Sequence, residues 1–195
     1  FIADAAHQMR TPLTGLRMQA DLAVAEKDPE QLRRSVGQIA QAAERAGHLI
    51  NQLLTLARAE SSHDKIHRFE TVDMEALGRD VALDWAMRAR AKRVDLGFEG
   101  WPYPLPVYGV PLLLRELLNN LLDNAVKYTP EGGHVTLRTR ADDAGGPIIV
   151  EVEDSGIGVP PEDRERVFER FYRVLGTNAD GSGLGLPICR EIADL

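Results

Sequence analysis

The stretch VPLLLRELLNNLLDNAVKY, Val110–Tyr128, repeats apolar residues at a period near 3.6 and predicts one long helix. Leu117, Leu118, Leu121, Leu122 and Ala125 supply its buried face. Asn120 and Asn124 stand four apart on one face, and Lys127 and Tyr128 come one turn on. Two amides and an ammonium projecting together suit a hydrated Mg²⁺ with phosphates, because amide oxygens are hard ligands that leave room for water and phosphate oxygen. A plain polar helix face accounts for the same residues. The two segments after this helix set the class of fold. EGGHVTLRTRA (131–141) and GPIIVEVEDS (146–155) read as strands joined by an Ala-Asp-Asp-Ala-Gly-Gly turn. Neighbouring antiparallel strands grouped with helices favour an α+β sandwich over a doubly wound sheet.

Downstream, Asp154-Ser155-Gly156-Ile157-Gly158 directly succeeds the apolar strand. A carboxylate at a strand end, with glycines behind it, lets a planar ligand approach the backbone, and Asp154 can accept a hydrogen bond from an exocyclic amine such as that of adenine. A tight turn is the bland reading. Gly181-Ser182-Gly183-Leu184-Gly185-Leu186 then opens a helix through LPICREI and offers bare N–H groups and a positive dipole end to an anion. Its glycine spacing is not the dinucleotide fingerprint, and no Gly-Lys-Ser/Thr of a P-loop comes after it. Between the two motifs, RVFERFYRVLGTNADGSG turns rich in Gly, Asn and Asp in its second half, the composition of a mobile lid.

Upstream, Ile2, Ala6, Met9, Leu13, Leu16, Ala20 and Ala23 alternate spacings of four and three, the heptad signature of a helix with one seam. KDPEQ breaks it: Asp28 can cap the next helix, Pro29 suits its first turn, and Gln31 completes a capping box. Leu32, Val36, Ile39, Ala43, Ala46, Ile50, Leu53 and Ala57 resume the heptad. One antiparallel hairpin buries little, so pairing of two copies into a four-helix bundle is expected. His7 lies about 100° off the seam, with Arg10, Thr11, Thr14 and Asp21 on its face. From this segment alone a solvated surface histidine is the simpler reading. Pro12 removes a helical hydrogen bond and collides with the Gln8 carbonyl, bending the helix just after His7. SSHDKIHRF is a polar linker. MEALGRDVALDWAMRA reads as a helix, RVDLGFEG as a strand, and WPYPLP as an extended, proline-broken connection. The organisation expected is therefore a hairpin over 1–60, a linker over 61–69 and a mixed domain over 70–195.

Hydrophobic content of 44% and charged content of 27% belong to a globular protein. A net charge of −7 without a basic block argues against nucleic acid as partner. The single cysteine, Cys189, excludes an internal disulfide and reads as a small core residue. His63 and His67 have helical metal spacing but no third ligand. No apolar run is long enough for a membrane span. Beginning inside one helical pattern and ending inside another, the sequence reads as a piece of something longer.

In order along nearly the whole chain stand His-x-x-Arg-Thr-Pro-Leu in a heptad hairpin, Asn-x-x-x-Asn-Ala-x-Lys-Tyr, Asp-x-Gly-x-Gly, Phe-Glu-Arg-Phe-Tyr and Gly-x-Gly-Leu-Gly-Leu. This series resembles the sensor histidine kinases of two-component systems, and DAAHQMRTPLTGLRMQADLA is most similar to those grouped with the tricarboxylate-transport kinases. The resemblance implies a homodimeric phosphoacceptor hairpin followed by a Bergerat-type ATP-binding domain, with ATP and Mg²⁺ as cofactors. It implies that His7 is the phosphorylated residue and that Thr11 takes part in removing phosphate from the partner. Asn124 becomes the Mg²⁺ ligand, with Asn120, Lys127, Tyr128, Gly156, Gly158, Gly181, Gly183, Leu184 and Gly185 around the nucleotide. Asp154 reads adenine, and Arg170 or Arg173 reaches the γ-phosphate. The implied partner is a response-regulator receiver domain docking near Thr14, Arg17 and Met18. The implied setting is the cytoplasmic side of a bacterial inner membrane that anchors the longer protein.

Two departures stand out. The family carries Glu or Asp directly after the histidine, where this sequence has Gln8; the family's ATP-binding domain also continues into further strands, so a sheet truncated at Leu195 is expected. Gln8 can accept the imidazole N–H through its amide oxygen but cannot supply full negative charge. A Bergerat-fold nucleotide-binding dimerisation module with an inert His7 is the competing reading.

Overall fold

The two heptad segments form α1 (Ile2–Ala25) and α2 (Pro29–Ser61). The computed structural model describes residues 2–61, 69–142, 146–174 and 181–195, and their side chains except at 2–12, 44–45, 48–49, 51 and 54–61. Helix α1 runs through Pro12 as one element. The break at KDPEQ falls where the sequence places it, and Asp28 Oδ1 accepts from the Glu30 N–H at 2.9 Å. A capping box from Gln31 was the expectation; instead Glu26 reaches forward, its Oε1 accepting from the Asp28 N–H at 2.9 Å. Within the single hairpin Ala23, Ala42, Ala46 and Leu53 are buried, whereas the seam residues Leu13 (51% exposed) and Val36 (53%) face outward. An unpartnered hairpin cannot cover its own seam.

The chain divides into two compact units, Phe1–Ala57 and Arg58–Leu195. The linker residues 62–68, with His63 and His67, lie outside the described residues.

The second unit contains β1 (Glu70–Asp73), α3 (Met74–Ala91), β2 (Asp95–Glu99), β3 (Pro106–Gly109), α4 (Pro111–Tyr128), β4 (His134–Ala141), β5 (Ile148–Asp154) and α5 (Gly185–Ala193). Single 3₁₀ turns stand at Pro161–Asp163 and Arg166–Phe168. The three-stranded sheet has the order β2-β4-β5. Strands β4 and β5 pair antiparallel, as expected, with Leu137 opposite Val152. Strands β2 and β4 pair parallel, Asp95 opposite His134, which antiparallel grouping did not anticipate; α4 is the crossover that makes this pairing possible. A second, two-stranded sheet of β1 and β3 was also unforeseen.

Alternation along β4 buries Val135, Leu137 and Thr139 against the helices and leaves His134 and Arg140 exposed. On the outer face Arg138 pairs with Glu99 and Glu153, and Arg140 with Glu151. The core joins Val81, Trp85 and Ala89 of α3 to Leu118, Leu122 and Ala125 of α4 and to the inner face of the sheet. Trp85 Nε1 donates to Asn119 Oδ1 at 3.0 Å, fixing the two helices against each other.

Candidate functional site

Helix α4 buries Leu113, Leu118, Leu122, Ala125 and Val126, while Leu117 and Leu121 are only half-buried. The larger surprise is Asn120, 2% exposed. Its Nδ2 donates to the Glu116 carbonyl at 2.9 Å. A buried amide does not belong to a solvated polar face. Asn124, one turn on, is half-buried.

The glycine-rich start of α5 lies against these amides. A β-carbon on Gly185 would stand 3.3 Å from Asn124 Nδ2 and 3.4 Å from Asn120 Oδ1. The backbone at Gly181 lies against the Lys127 ammonium, which also sits 5.1 Å from the centre of the Tyr128 ring. Asn120, Asn124, Lys127, Tyr128, Gly181 and Gly185 therefore converge, although the two motifs are far apart in the chain. Leu184 is fully buried, so its side chain anchors the start of α5, and its N–H meets Ser182 Oγ at 3.2 Å.

The Asp154 motif joins from the other side. Asp154 is exposed, and its Oδ1 accepts from the Gly156 N–H at 2.8 Å. A β-carbon on Gly156 would stand 2.8 Å from the Tyr128 carbonyl, so only glycine lets this turn close on the end of α4. Ser155 Oγ accepts from the His134 N–H at 2.9 Å and holds the turn to the sheet. Gly158 takes a left-handed φ of 69°.

The FERFYR segment packs onto the glycine loop. Phe171 N–H donates to the Gly183 carbonyl at 2.9 Å. Both residues are left-handed, Phe171 at φ 66° and Gly183 at φ 70°, and a side chain at Gly183 would strike the Phe171 backbone. Arg170 stands 3.8 Å from Glu191 of α5, and Arg173 is exposed. Residues 175–180, read as a lid, lie outside the described residues. His7, Gln8 and Thr11 belong to α1, but their side chains also lie outside what is described.

Sequence reasoning missed Lys92, whose ammonium caps α4 from the corner between α3 and β2. No local pattern marks it.

Cys189 behaves as the core residue expected. Burial first, and the Glu116 carboxylate second, push its thiol up to about 12. The folded state holds the proton more tightly than the unfolded state, so this thiol contributes stability below pH 9 that is lost as pH rises toward 12. Urea midpoints are expected to fall across that window, and Cys189→Ala is expected to flatten the decline. An equal decline in the variant removes Cys189 as its source.

As for the Mg²⁺ and ATP expected from sequence, no group of three or more His, Cys, Asp or Glu is placed to hold a metal among the described residues. A pair of amides beside a glycine-rich helix start fits Mg²⁺ in the form that brings its own phosphate and water ligands.

Residues 109–195 match the family described as histidine kinase-, DNA gyrase B-, and HSP90-like ATPase, and residues 1–62 match the His Kinase A (phospho-acceptor) domain. The chain is 38% identical over 196 residues to the sensor protein QseC of Escherichia coli (strain K12), covering 100% of this chain and 42% of that protein. Over 201 residues it is 37% identical to the signal transduction histidine-protein kinase/phosphatase MprB of Mycobacterium avium (strain 104), covering 98% of this chain and 37% of that one. The structure of histidine kinase ThkA in complex with response regulator protein TrrA is similar with a TM-score of 0.73 and 26% identity, covering 98% of this chain and 53% of that chain. The chain belongs to the sensor histidine kinases, as a phosphoacceptor domain followed by the family's ATPase domain. It spans less than half the length of QseC and MprB.

Proposed function

We propose that the protein transfers the γ-phosphoryl group of ATP to His7 and passes it on to an aspartate of a response-regulator receiver domain. The observation that carries this reading is the approach of Gly185 to Asn120 and Asn124, which sets a helix start and two amides around one space. A lone-pair nitrogen of the His7 imidazole attacks phosphorus, the bond to the bridging oxygen breaks, ADP leaves, and the imidazole proton goes to solvent. The aspartate oxygen then displaces the imidazole. Such transfer asks the protein chiefly for positioning and charge neutralisation. Mg²⁺ held by Asn124 supplies part of that neutralisation when bound. Asn120, Lys127, Tyr128, Gly156, Gly158, Gly181, Gly183 and the backbone of Leu184 and Gly185 frame the nucleotide, Asp154 accepts from its base, and Arg170 or Arg173 serves the γ-phosphate.

The same reading assigns residues 1–60 to dimerisation and phosphate acceptance, 61–69 to a link and 70–195 to catalysis. A second copy covers the exposed seam at Leu13 and Val36. Exposed Thr14 and Arg17, with Met18 at 61% exposure, suit the receiver domain, and Thr11 suits phosphatase activity. No helix among the described residues is long and apolar enough to cross a membrane; membrane anchorage of the longer protein at its cytoplasmic side is part of the proposal. Incubation with γ-labelled Mg-ATP tests it. Label that is acid-labile and base-stable is expected. Nucleotide binding without label overturns it in favour of a nucleotide-binding dimerisation module.

Gln8 sharpens the expectation. A carboxylate beside the histidine stabilises the imidazolium formed on attack, and acid–base help of this kind is typically worth about 10²- to 10⁴-fold. An amide preserves orientation and forgoes the charge, so Gln8→Glu is expected to raise the initial labelling rate roughly tenfold. An unchanged rate removes the electrostatic role of this position.

A further inference from the structure

A helix ends with carbonyls that no intrahelical N–H can reach. In α4 the Thr129 N–H takes the Ala125 carbonyl at 3.1 Å, leaving those of Val126 and Lys127 to other donors. Both find Lys92. Its Nζ donates to the Val126 carbonyl at 2.8 Å and to the Lys127 carbonyl as well. A cation here also offsets the negative end of the helix dipole.

Lys92 is not a loose surface chain. It is the C-cap of α3, its N–H turned back to Ala89 and Arg88, and the next residue, Arg93, is left-handed at φ 57°. That turn lets the Arg93 carbonyl accept from Gly132 at 2.8 Å and the Asp95 N–H reach Gly133 at 2.9 Å. The corner between α3 and β2 is thus fastened to the loop leaving α4 by two backbone hydrogen bonds, and the Lys92 ammonium adds its hold on the last turn of α4.

The turn so held carries Lys127 and Tyr128. Gly156 closes on the Tyr128 carbonyl, and the Lys127 ammonium lies against Gly181. Lys92 therefore grips the last turn of α4 from outside the glycine-rich motifs, beside the approaches of Gly156 and Gly181. The base side of the site has separate supports, the Ser155 clamp on His134 and the Asp154 bond to Gly156.

We propose that Lys92 is a positioning residue for nucleotide binding: by holding the Val126 and Lys127 carbonyls it aims Lys127 at the glycine loop before α5. This rests on the ATP-binding reading above. Lys92 touches no nucleotide itself and acts through Lys127.

Calorimetric ATP titration of the intact protein with Mg²⁺ tests this, well below each variant's own melting temperature. Lys92→Met is expected to raise the Kd for ATP about tenfold, and Lys92→Arg, which still donates to two carbonyls, to keep it within about twofold of the parent. In a Lys127→Met background, Lys92→Met is expected to add no more than about a twofold further rise, since sites that act as one unit are non-additive. A merely structural role lowers the melting temperature of Lys92→Met and leaves Kd unchanged, which overturns the proposal. So does a tenfold rise that persists in the Lys127→Met background, or an arginine that restores melting temperature without affinity. If Lys92→Met does not fold, Lys92→Gln is read in the same way. A parent protein that binds no ATP overturns the functional reading, and this inference with it; a parent that binds while Lys92→Met binds equally well overturns this inference alone.

Discussion

Replacing His7 with alanine is expected to abolish phosphoryl labelling while leaving ATP affinity within about twofold of the parent. The two effects separate because they belong to different parts of the chain. His7 lies in the unit Phe1–Ala57, and the converging amides and glycines lie in the unit Arg58–Leu195. Removing the imidazole takes away the attacking nitrogen, and an alanine methyl offers no substitute lone pair. The sequence holds four other histidines, His48, His63, His67 and His134, so residual acid-labile label in His7→Ala would show that one of them is the acceptor.

The second large effect is expected at Asn124. If Asn124 holds Mg²⁺ as proposed, Asn124→Ala is expected to lower the initial rate of labelling by about 10²-fold or more, since Mg²⁺ demands near-ideal octahedral oxygen coordination and an alanine methyl supplies none. Stability should change little, because Asn124 is only half-buried. Asn120 behaves differently. It is buried and bonded to the Glu116 carbonyl, so its loss costs stability as well as activity, about 1–3 kcal/mol for a buried hydrogen-bonding group. Initial rates across a range of Mg²⁺ concentrations, with melting temperatures alongside, separate the two. A rate for Asn124→Ala within tenfold of the parent at all concentrations removes the metal role.

The contrast between the two asparagines also marks how far the sequence could be read. The helix that carries them was legible because eighteen residues give five turns of apolar period. Their common face was legible from spacing. That Asn120 is buried was not, because its neighbour Gly185 lies two strands and a long loop away. The same limit hid β1 and β3, four residues each, too short for alternation to show. It hid the parallel pairing of β2 with β4, since neighbours in sequence suggested only hairpins. Asp28 was legible as a cap because capping is local, while the choice of Glu26 over Gln31 depends on how the chain leaves α1. Lys92 illustrates the rule most plainly. A lysine after a helix is ordinary in sequence, and only the arrival of α4 beside it gives it two carbonyls to hold.

The parallel pairing of β2 with β4 bears on how this domain assembles. Strand β2 cannot find its neighbour through a tight hairpin; the chain must first lay down β3 and the whole of α4 before His134 can reach Asp95. Loop-closure entropy makes such distant pairings late and slow, unless the connecting segment is already ordered. The helix that bears the asparagines is that connecting segment. An ordered helix of eighteen residues shortens that search, so forming α4 favours the pairing of β2 with β4. Helix α4 thus serves twice, as the carrier of Asn120 and Asn124 and as the link that brings β4 beside β2.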